Sequence, residues 1–209
     1  MSYNIYSILV ATTNPGKITE LKACLGSEFK WLSLTDFNEI AEIKEDGRTF
    51  AENARKKASG YARATGHWTI ADDSGLVIDA LGGSPGVNSA RFSGEKLNGK
   101  ERTLIDHRNI AKVLELLKEV PKEIRTARFV CSLCLASPEK ILLETQGTLE
   151  GFITDREIGT NGFGYDPIFY IPDFKKTVAQ LSPEEKNSIS HRGNAIRKLK
   201  PLLEKLLKQ

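Results

Sequence analysis

An apolar run near the first residues leads directly into a helical pattern, and this order restricts the fold more than any other feature. Residues 5–11 predict a buried strand, and residues 15–25 predict the helix after it, with Pro15 near the first turn, where its missing N–H costs nothing. A strand joined to a helix by a short loop is the basic step of α/β proteins. The first half of the chain is therefore predicted to alternate strands with helices.

The rest of the chain carries patterns for several further elements. Thr49 and Glu52 have the spacing of a capping box, which predicts a helix that begins there and runs to about residue 65. Short strands are predicted at 68–71 and 75–81, followed by a glycine- and proline-rich loop at 82–86 and a helix around 110–117. A strand pair is predicted at 127–136 and 140–147, with its turn at 137–139, and a capped helix begins at Ser182. The last predicted helix has a kink at Pro201 and carries on one face Ile196, Leu199, Leu203 and Leu206. The second half is therefore richer in hairpins, and residues 1–209 are predicted to form one mixed α/β domain.

Composition and charge exclude some classes of protein. No apolar run approaches the roughly 20 residues that a bilayer requires, and the first residues lack the pattern of an export signal. The 3 cysteines are an odd number, which fits a reducing compartment, so we expect a cytoplasmic protein with no membrane partner. A net charge of +3 is too small to predict a nucleic-acid partner, but converging positive groups would suit a small polyanion.

Cys131 and Cys134 form a C-x-x-C pair, a spacing that also occurs in zinc and redox sites. The surrounding residues, 127–136, have the composition of a buried strand, on which positions three apart face opposite sides. No second pair and no nearby histidine pair accompany them in the sequence. A structural role is therefore favoured over a metal site.

A loop with phosphate-binding character is predicted between the first strand and the first helix. It comprises Thr12, Thr13, Asn14, Pro15, Gly16 and Lys17. A helix N-terminus offers unpaired N–H groups, glycine permits close approach of the backbone, and Lys17 adds a positive charge. The pattern is not a Walker A loop, because the upstream glycine is absent and Ile18 stands where Ser or Thr would hold magnesium. The alternative is a simple loop with an exposed lysine.

Two adjacent acids, Asp72 and Asp73, follow the short apolar strand predicted at 68–71. A divalent cation would relieve their repulsion, and carboxylate oxygens are the ligands that Mg²⁺ prefers. Consecutive strand residues face opposite sides of a sheet, so only one of the two is expected to face a substrate. The alternative is a turn, which the sequence Asp-Ser-Gly at 73–75 also favours.

Glycines alternate with two aromatic residues and one acid in the segment 159–167. Its candidate binding residues are Phe163, Gly164, Tyr165 and Asp166. Such a loop can place an aromatic ring against a base while the acid or the backbone contacts the base edge, and the glycines let a ligand approach. The alternative is a hairpin whose aromatic residues are core anchors.

Three basic residues, Lys186, His191 and Arg192, gather near the start of the last predicted helix. Donors placed there can converge on an anion or on a carbonyl oxygen. The alternative is a solvated helix terminus. His67 and His107 have no metal-ligand spacing to another histidine, so they are expected to be structural or surface residues.

Taken together, these segments resemble the inosine triphosphate pyrophosphatase family. The matching segments follow the family's order and span almost the whole chain: 12–17, 49–50 with 52–54 and 57–58, 71–76, 85–87 with 89–91, 162–167, and 185–186 with 190–193. There are two departures from the family pattern: Asn88 stands where tyrosine is usual, and Thr160-Asn161 replaces a pair of small residues. These departures concern the packing of their loops rather than the expected reaction.

The resemblance implies a fold, an assembly and a reaction. The fold would be an elongated mixed β-sheet with flanking helices and two lobes around a central nucleotide-binding cleft, and the assembly would be a homodimer. The reaction would be Mg²⁺-dependent hydrolysis of deaminated purine nucleoside triphosphates, such as ITP, dITP and XTP, to the monophosphate and pyrophosphate.

The resemblance also implies roles for single residues. Asp73 would activate the attacking water and touch Mg²⁺, Asp72 would support it, and Glu45 would be a second acid on the metal side. The triphosphate would be held by Lys17, Lys57 and the loop 12–16. The base and phosphate pocket would comprise Phe163, Gly164, Tyr165, Asp166, Lys186, His191 and Arg192, with Ser74 also at the substrate.

The residue types suit this reaction on physical grounds. Attack of water on the α-phosphorus needs a base, a metal that neutralises oxygens, and fixed cations for the leaving pyrophosphate. Hypoxanthine and xanthine carry a 6-oxo acceptor that a donor such as Arg192 can satisfy, whereas the amino group of adenine leaves that donor unpaired. Guanine has the same oxo group, so its rejection must depend on the 2-amino position.

Two other classes of function stay open on the sequence alone. A nucleotide-binding sensor would keep the pocket without turnover, and it would not need Glu45 and Asp73 beside the phosphates. A nucleic-acid-binding protein is suggested only by the basic isoelectric point, and it would bind a duplex with strong salt dependence.

Overall fold

The structure, a computed structural model, describes residues 6–13, 15–26, 29–37, 40–94 and 102–208. Its strands are β1 (Ser7–Val10), β2 (Lys30–Ser33), β3 (Trp68–Ile78), β4 (Thr126–Ala136), β5 (Ile141–Ile153), β6 (Phe169–Ile171) and β7 (Lys176–Thr177). Its α-helices are α1 (Pro15–Leu25), α2 (Phe50–Thr65), α3 (Arg102–Leu116), α4 (Pro183–Ile189) and α5 (His191–Leu206). Short 3-10 helices connect several of these elements.

The strands form one mixed sheet in the order β2-β1-β3-β4-β5-β6-β7. β1 pairs in parallel with β2 and β3, and its Leu9 lies opposite Leu32 on one side and Thr69 on the other. β6 pairs antiparallel with β5 and β7. The predicted α/β class is therefore confirmed, with strand-helix alternation in the first half and antiparallel pairing in the second.

The chain groups into two compact units. The first unit comprises Met1–Asp73, Cys131–Gly147 and His191–Gln209, and the second comprises Ser74–Val130 and Thr148–Ser190. The single domain expected over 1–209 stays a prediction.

The first unit has a helical layer on each face of its part of the sheet. Leu21 of α1 and Leu199 of α5 share a buried core with Ile70 of β3. Ala58 of α2 shares a second core with Ala71, the next residue of β3. The alternation of strand side chains thus assigns α1 and α5 to one face and α2 to the other.

The second unit has a core of its own, in which helix α3 packs on the sheet. Ile110 and Val113 of α3 join Phe129, Tyr165 and Phe169 in one buried cluster. The rings of Phe129 and Phe169 lie 4.4 Å apart between centroids. This core supports the loop that leads to β6.

Both helix starts predicted from capping patterns are confirmed. Thr49 Oγ1 accepts the N–H of Glu52 at 3.1 Å, although the Glu52 carboxylate accepts from the N–H of Arg48 rather than from Thr49. At α4 the exchange between Ser182 and Glu185 is reciprocal, at 2.8 and 3.1 Å. The last helix is also present, with Ile196, Leu199 and Leu203 buried as predicted, and it continues through Pro201, where the expected kink stays a prediction.

The prediction for the acidic segment was wrong in one respect. The strands expected at 68–71 and 75–81 are a single strand, β3, and residues 79–81 form a 3-10 helix. Asp72 and Asp73 therefore lie in the middle of a strand rather than after its end or in a turn. Buried charges in a strand are tolerated where neighbouring side chains neutralise them. β5 is also longer than expected, since it continues to Ile153.

The C-x-x-C pair is structural, as predicted. Cys131 and Cys134 are free, fully buried cysteines of β4, and they belong to cores on opposite faces of the sheet. Burial raises the pKa of each thiol to about 12, so both stay protonated at neutral pH. In the part of the chain that the structure describes, no helix is both long and apolar enough to cross a membrane.

Candidate active site

The two acids of β3 point to opposite faces of the sheet and meet different helices. Asp72 is 1% exposed, on the face covered by α1 and α5. Asp73 is 8% exposed, on the face covered by α2. The predicted opposite orientation is therefore observed, and each carboxylate has a separate environment.

Asp72 is surrounded by cations. The Nζ of Lys17, in the first turn of α1, lies 2.7 Å from Asp72 Oδ2. Arg192, in the first turn of α5 and only 2% exposed, places Nη2 3.3 Å from the same oxygen. Burial alone would raise the pKa of Asp72, but the charges of Lys17, Arg192 and Lys57 outweigh it and hold this pKa far below its usual range. Asp72 is therefore an anion at any physiological pH and fixes two cations in place.

Asp73 has the opposite electrostatic balance. Burial raises its pKa, and the charge of Glu45 adds to the increase, against the lowering effects of Lys57 and of a hydrogen bond from Asn53. Asn53 Nδ2 donates to Asp73 Oδ2 at 2.9 Å. A carboxylate with a raised pKa is better suited to accept a proton near neutral pH than an ordinary aspartate.

Lys57 links these acids to the loop that precedes α2. Its Nζ lies 3.2 Å from Oε2 of Glu45. Burial alone would lower the pKa of Lys57, but Asp72, Glu45 and Asp73 together raise it. The ammonium group is therefore charged at neutral pH.

Asn53 is a site residue for which the sequence analysis assigned no role. Its amide donates to Asp73, and its Oδ1 accepts the N–H of Gly47 at 2.7 Å. A Cβ at position 47 would lie 2.6 Å from that Oδ1, so only glycine at this position lets the loop approach Asn53 this closely. Asn53 stands one helical turn before Lys57, and this spacing was the signal in the sequence that both face the same side of α2.

The three acids expected at a metal do not form one group. Among the described residues, no set of three or more His, Cys, Asp or Glu side chains is arranged to hold a metal ion. Glu45 is close enough to Asp73 for its charge to raise the pKa of Asp73, whereas Asp72 contacts cations on the other face. Two carboxylates, one of them buried with a raised pKa, are hard oxygen donors of the kind that fits Mg²⁺.

The predicted phosphate loop lies between β1 and α1, as expected. The N–H of Thr12 donates to Val10 at 2.9 Å, and Thr13 is exposed. Asn14 falls outside the described residues, and Pro15 and Gly16 begin α1. The helix N-terminus and Lys17 are thus on the same side of the first unit as Asp72.

The aromatic loop belongs to the second unit and is held by several contacts. Asp166, 4% exposed, accepts the N–H of Phe163 at 2.9 Å and the Nζ of Lys186 at 2.6 Å. The same Nζ lies 4.5 Å from the centroid of the Phe163 ring. Gly162 has φ +81°, and a Cβ there would lie 2.1 Å from Asp166 Oδ2. The loop therefore presents a half-buried ring beside a fixed cation.

The remaining predicted site residues are Ser74 and His191, and the structure also describes the two departures from the family pattern. Ser74 is half-buried in β3 and belongs to the second unit, whereas His191 begins α5 in the first. Asn88, one of the two departures from the family pattern, is exposed. At the other, Asn161 donates its side-chain amide to the carbonyl of Leu181 at 3.0 Å, so a larger residue is accommodated by an added hydrogen bond.

The fold and these residues define an α/β protein with a buried cluster of acids and cations of the kind that binds polyphosphates. The chain belongs to the Ham1 family, whose model matches residues 8–202. This membership confirms the family resemblance of the sequence.

Individual relatives are similar over nearly the whole chain. The dITP/XTP pyrophosphatase of Geobacillus kaustophilus is 50% identical over 195 residues, which cover 92% of this chain and 91% of that protein. The dITP/XTP pyrophosphatase of Halalkalibacterium halodurans is 48% identical over 192 residues, or 91% and 95% of the two chains. Among solved structures, a HAM1 protein from Coxiella burnetii superimposes with a TM-score of 0.86 at 40% identity, over 96% of this chain and 100% of that one.

Proposed function

We propose that this chain is a Mg²⁺-dependent pyrophosphatase that hydrolyses deaminated purine nucleoside triphosphates to the monophosphate and pyrophosphate. The observation that carries the proposal is the pair of adjacent buried acids, one holding two cations and the other bound by Asn53 on the opposite face with a raised pKa. Relatives named dITP/XTP pyrophosphatases, at 48–50% identity, support ITP, dITP and XTP as its substrates.

Asp73 is the general base of the proposed reaction. Its raised pKa lets it take a proton from the water that attacks the α-phosphorus. Asn53 donates to Oδ2 of Asp73, which helps to fix the orientation of the carboxylate. A correctly positioned general base contributes roughly 100- to 10,000-fold to a rate. The orientation of the Asp73 carboxylate is therefore important for turnover.

Lys17, Lys57 and the N-terminus of α1 bind the triphosphate. Lys17 is held by Asp72, so little side-chain freedom is left to lose when the phosphates bind. Charged Lys57 stabilises the negative charge that develops on the leaving pyrophosphate. Fixed cations of this kind act in the transition state without rearrangement.

Asp73 and Glu45 would hold Mg²⁺, and Asp72 would support them from the opposite face by fixing Lys17 and Arg192. When bound, the ion neutralises phosphate oxygens around the reacting phosphorus. Lys57 balances the charge of Glu45 in the free protein, at 3.2 Å. The same ammonium group partly offsets the rise that burial causes in the pKa of Asp73.

The purine is bound by Phe163, Gly164, Tyr165, Asp166 and Lys186, with Ser74, His191 and Arg192 completing the substrate contacts. The half-buried ring of Phe163 offers an apolar face for stacking, and Lys186 beside it is a donor for the base edge. Arg192 donates to the 6-oxo group, while Asp72 sets the orientation of its guanidinium. The lobed shape with a central cleft, the homodimer and the cytoplasmic location implied by the resemblance or the composition stay predictions.

A nucleotide panel with pyrophosphate detection tests the proposal. ITP, dITP and XTP should release pyrophosphate with kcat/KM at least about 100-fold above that for ATP and GTP, and a chelator should abolish release. Tight binding of ITP without turnover would instead identify a sensor. Equal turnover of all purines would contradict the proposed selection.

A further inference from the structure

The backbone of the aromatic loop is anchored on both sides of Phe163. The N–H of Phe163 donates to Asp166 at 2.9 Å, within the loop. The following amide, the N–H of Gly164, donates to Oδ2 of Asp106 at 2.9 Å, and Asp106 belongs to α3. These two amides flank the residue, so their bonds restrict both of its backbone dihedral angles. The direction of the Phe163 ring depends on those angles.

Helix α3 presents a second group to the same ring. Arg102 precedes Asp106 by four residues, which places both side chains on one face of the helix. The guanidinium carbon of Arg102 lies 5.9 Å from the centroid of the Phe163 ring. This distance is within the range of a cation–π contact. α3 therefore approaches the loop through its first turns.

Helix α3, which carries Asp106, is itself held in place by neighbouring contacts. Asn109, one turn after Ile105, accepts the N–H of Ser93 at 2.6 Å and is 2% exposed. Tyr165 OH donates to the carbonyl of Ser89 at 2.8 Å, which ties the loop to the segment that Asn109 contacts. Because α3 is held at this point, the carboxylate of Asp106 is a fixed acceptor for the Gly164 N–H and restricts the motion of that amide.

Gly164 is the position where such an anchor matters most. Its φ is +60°, in the left-handed region, and glycine has more backbone freedom than any other residue. Without an acceptor for its N–H, the peptide that joins Phe163 to Gly164 is free to rotate. The ring would then sample several directions before a base could stack on it.

We propose that Asp106 is a positioning residue for base recognition, which holds the Phe163 ring in place by binding the Gly164 amide. The inference rests on the proposed function, in which this loop contacts the purine. Asp106 acts through the loop and needs no contact of its own with the nucleotide. It extends the base-recognition machinery to helix α3.

The test compares Asp106→Ala with Asp106→Asn, since asparagine keeps an acceptor for the Gly164 N–H and alanine does not. Asp106→Ala should raise KM for ITP by about 5- to 30-fold and change kcat by less than about threefold, because a positioning hydrogen bond for binding is lost. Asp106→Asn should restore KM to within about threefold of the wild type. Inorganic triphosphate, which has no base, should inhibit all three proteins equally.

His107→Ala is the matched control. His107 is the next residue of α3, is exposed and contacts Glu157 rather than the loop, so its removal should leave KM unchanged. Hydrogen exchange of the peptide that contains Gly164 should be faster in Asp106→Ala and unchanged in His107→Ala. Unchanged exchange in Asp106→Ala, or weaker binding of inorganic triphosphate in proportion to ITP, would overturn the inference.

Phe163→Ala separates this inference from the proposed function. If Phe163→Ala raises KM for ITP and Asp106→Ala does not, the positioning role is wrong and the base loop stands. If Phe163→Ala leaves KM unchanged, the loop does not bind the base, and the role of Asp106 in base recognition is wrong with it.

Discussion

At the scale of single residues, two neighbouring aspartates acquire opposite properties from the alternation of one strand. Asp72 meets Lys17 and Arg192, which depress its pKa, whereas burial raises the pKa of Asp73 on the other face. One acid is thus a permanent anion that holds cations, and the other is a candidate proton acceptor. The sequence predicts the opposite orientations, but it does not reveal which partners each acid meets.

Asp73→Asn should lower kcat for ITP by at least about 100-fold, because an amide cannot take the proton of the attacking water. The amide is nearly isosteric, so the protein should stay folded and bind ITP with similar affinity. Single-turnover rates and equilibrium binding measure the two effects separately. Near-normal turnover in this variant would remove Asp73 from the role of base.

Asp72→Asn should lower the free energy of unfolding by roughly 3–5 kcal/mol at neutral pH, since it leaves the partly buried Lys17 and the buried Arg192 without their anion. The native pKa of Asp72 lies below its unfolded value, so this stabilisation is complete above about pH 4 and is lost as the pH falls further. The difference between variant and wild type in denaturant titrations should therefore shrink in acid. Asp46→Asn is the control: the pKa of Asp46 is lowered to about 2 by Lys56 and Lys44, but the group is on the surface, so stability should change little.

Arg192→Ala should lower kcat/KM for ITP by roughly 10- to 150-fold, equivalent to about 1.5–3 kcal/mol for a hydrogen bond that involves a charge. ATP, whose amino group does not use this donor, should lose much less, so the preference for ITP should shrink. Lys17→Ala removes the other cation of Asp72 and serves as the control, with equal losses for both nucleotides. An unchanged preference in Arg192→Ala would place Arg192 among the phosphate ligands.

At the scale of elements, the start of α5 is positioned by one glycine of β5. A Cβ at Gly147 would lie 2.2 Å from the carbonyl oxygen of His191 and 2.4 Å from the backbone nitrogen of Ala195. Thr145 reinforces the contact by donating to the carbonyl of Ala195 at 2.9 Å. The first turn of α5, which carries His191 and Arg192, therefore lies directly against the strand.

Gly147→Ala should displace that turn and destabilise the protein by roughly 1–3 kcal/mol, the usual range for overpacking. Because Arg192 moves with the turn, kcat/KM for ITP should fall as well. Gln146→Ala, a change at the exposed neighbouring side chain, should do neither. Urea unfolding and steady-state kinetics measure both quantities, and a Gly147→Ala protein with normal stability would show that the close approach is not required.

The elements also show where prediction from sequence succeeds and where it stops. The starts of α2 and α4 were predictable because Thr49 and Ser182 are caps, whose effect is local. The continuity of β3 was not, because Asp72 and Asp73 are tolerated in a strand only through Lys17, Arg192 and Lys57, which come from distant segments. Asn53 and Asp106 were missed for the same reason: their partners are 20 and 58 residues away.

At the scale of the whole molecule, the α/β class and the family were predictable from the sequence, and both are confirmed. Two lobes were expected only from the family resemblance, and the bounds of the two compact units were not predicted, because β3, β4 and β5 each contribute residues to both and no linker marks the change in the sequence. Residues proposed for the phosphates lie in the first unit, and those of the aromatic loop lie in the second.

The central claim is that water attacks the α-phosphorus of a deaminated purine triphosphate, and hydrolysis of ITP in ¹⁸O-labelled water tests it most directly. Mass spectrometry of the products should find one ¹⁸O atom in inosine monophosphate and none in pyrophosphate. Label in pyrophosphate would mean attack at the β-phosphorus, and release of orthophosphate with the diphosphate would mean attack at the γ-phosphorus. Either result would contradict the account of Asp73 as the base beside the α-phosphorus.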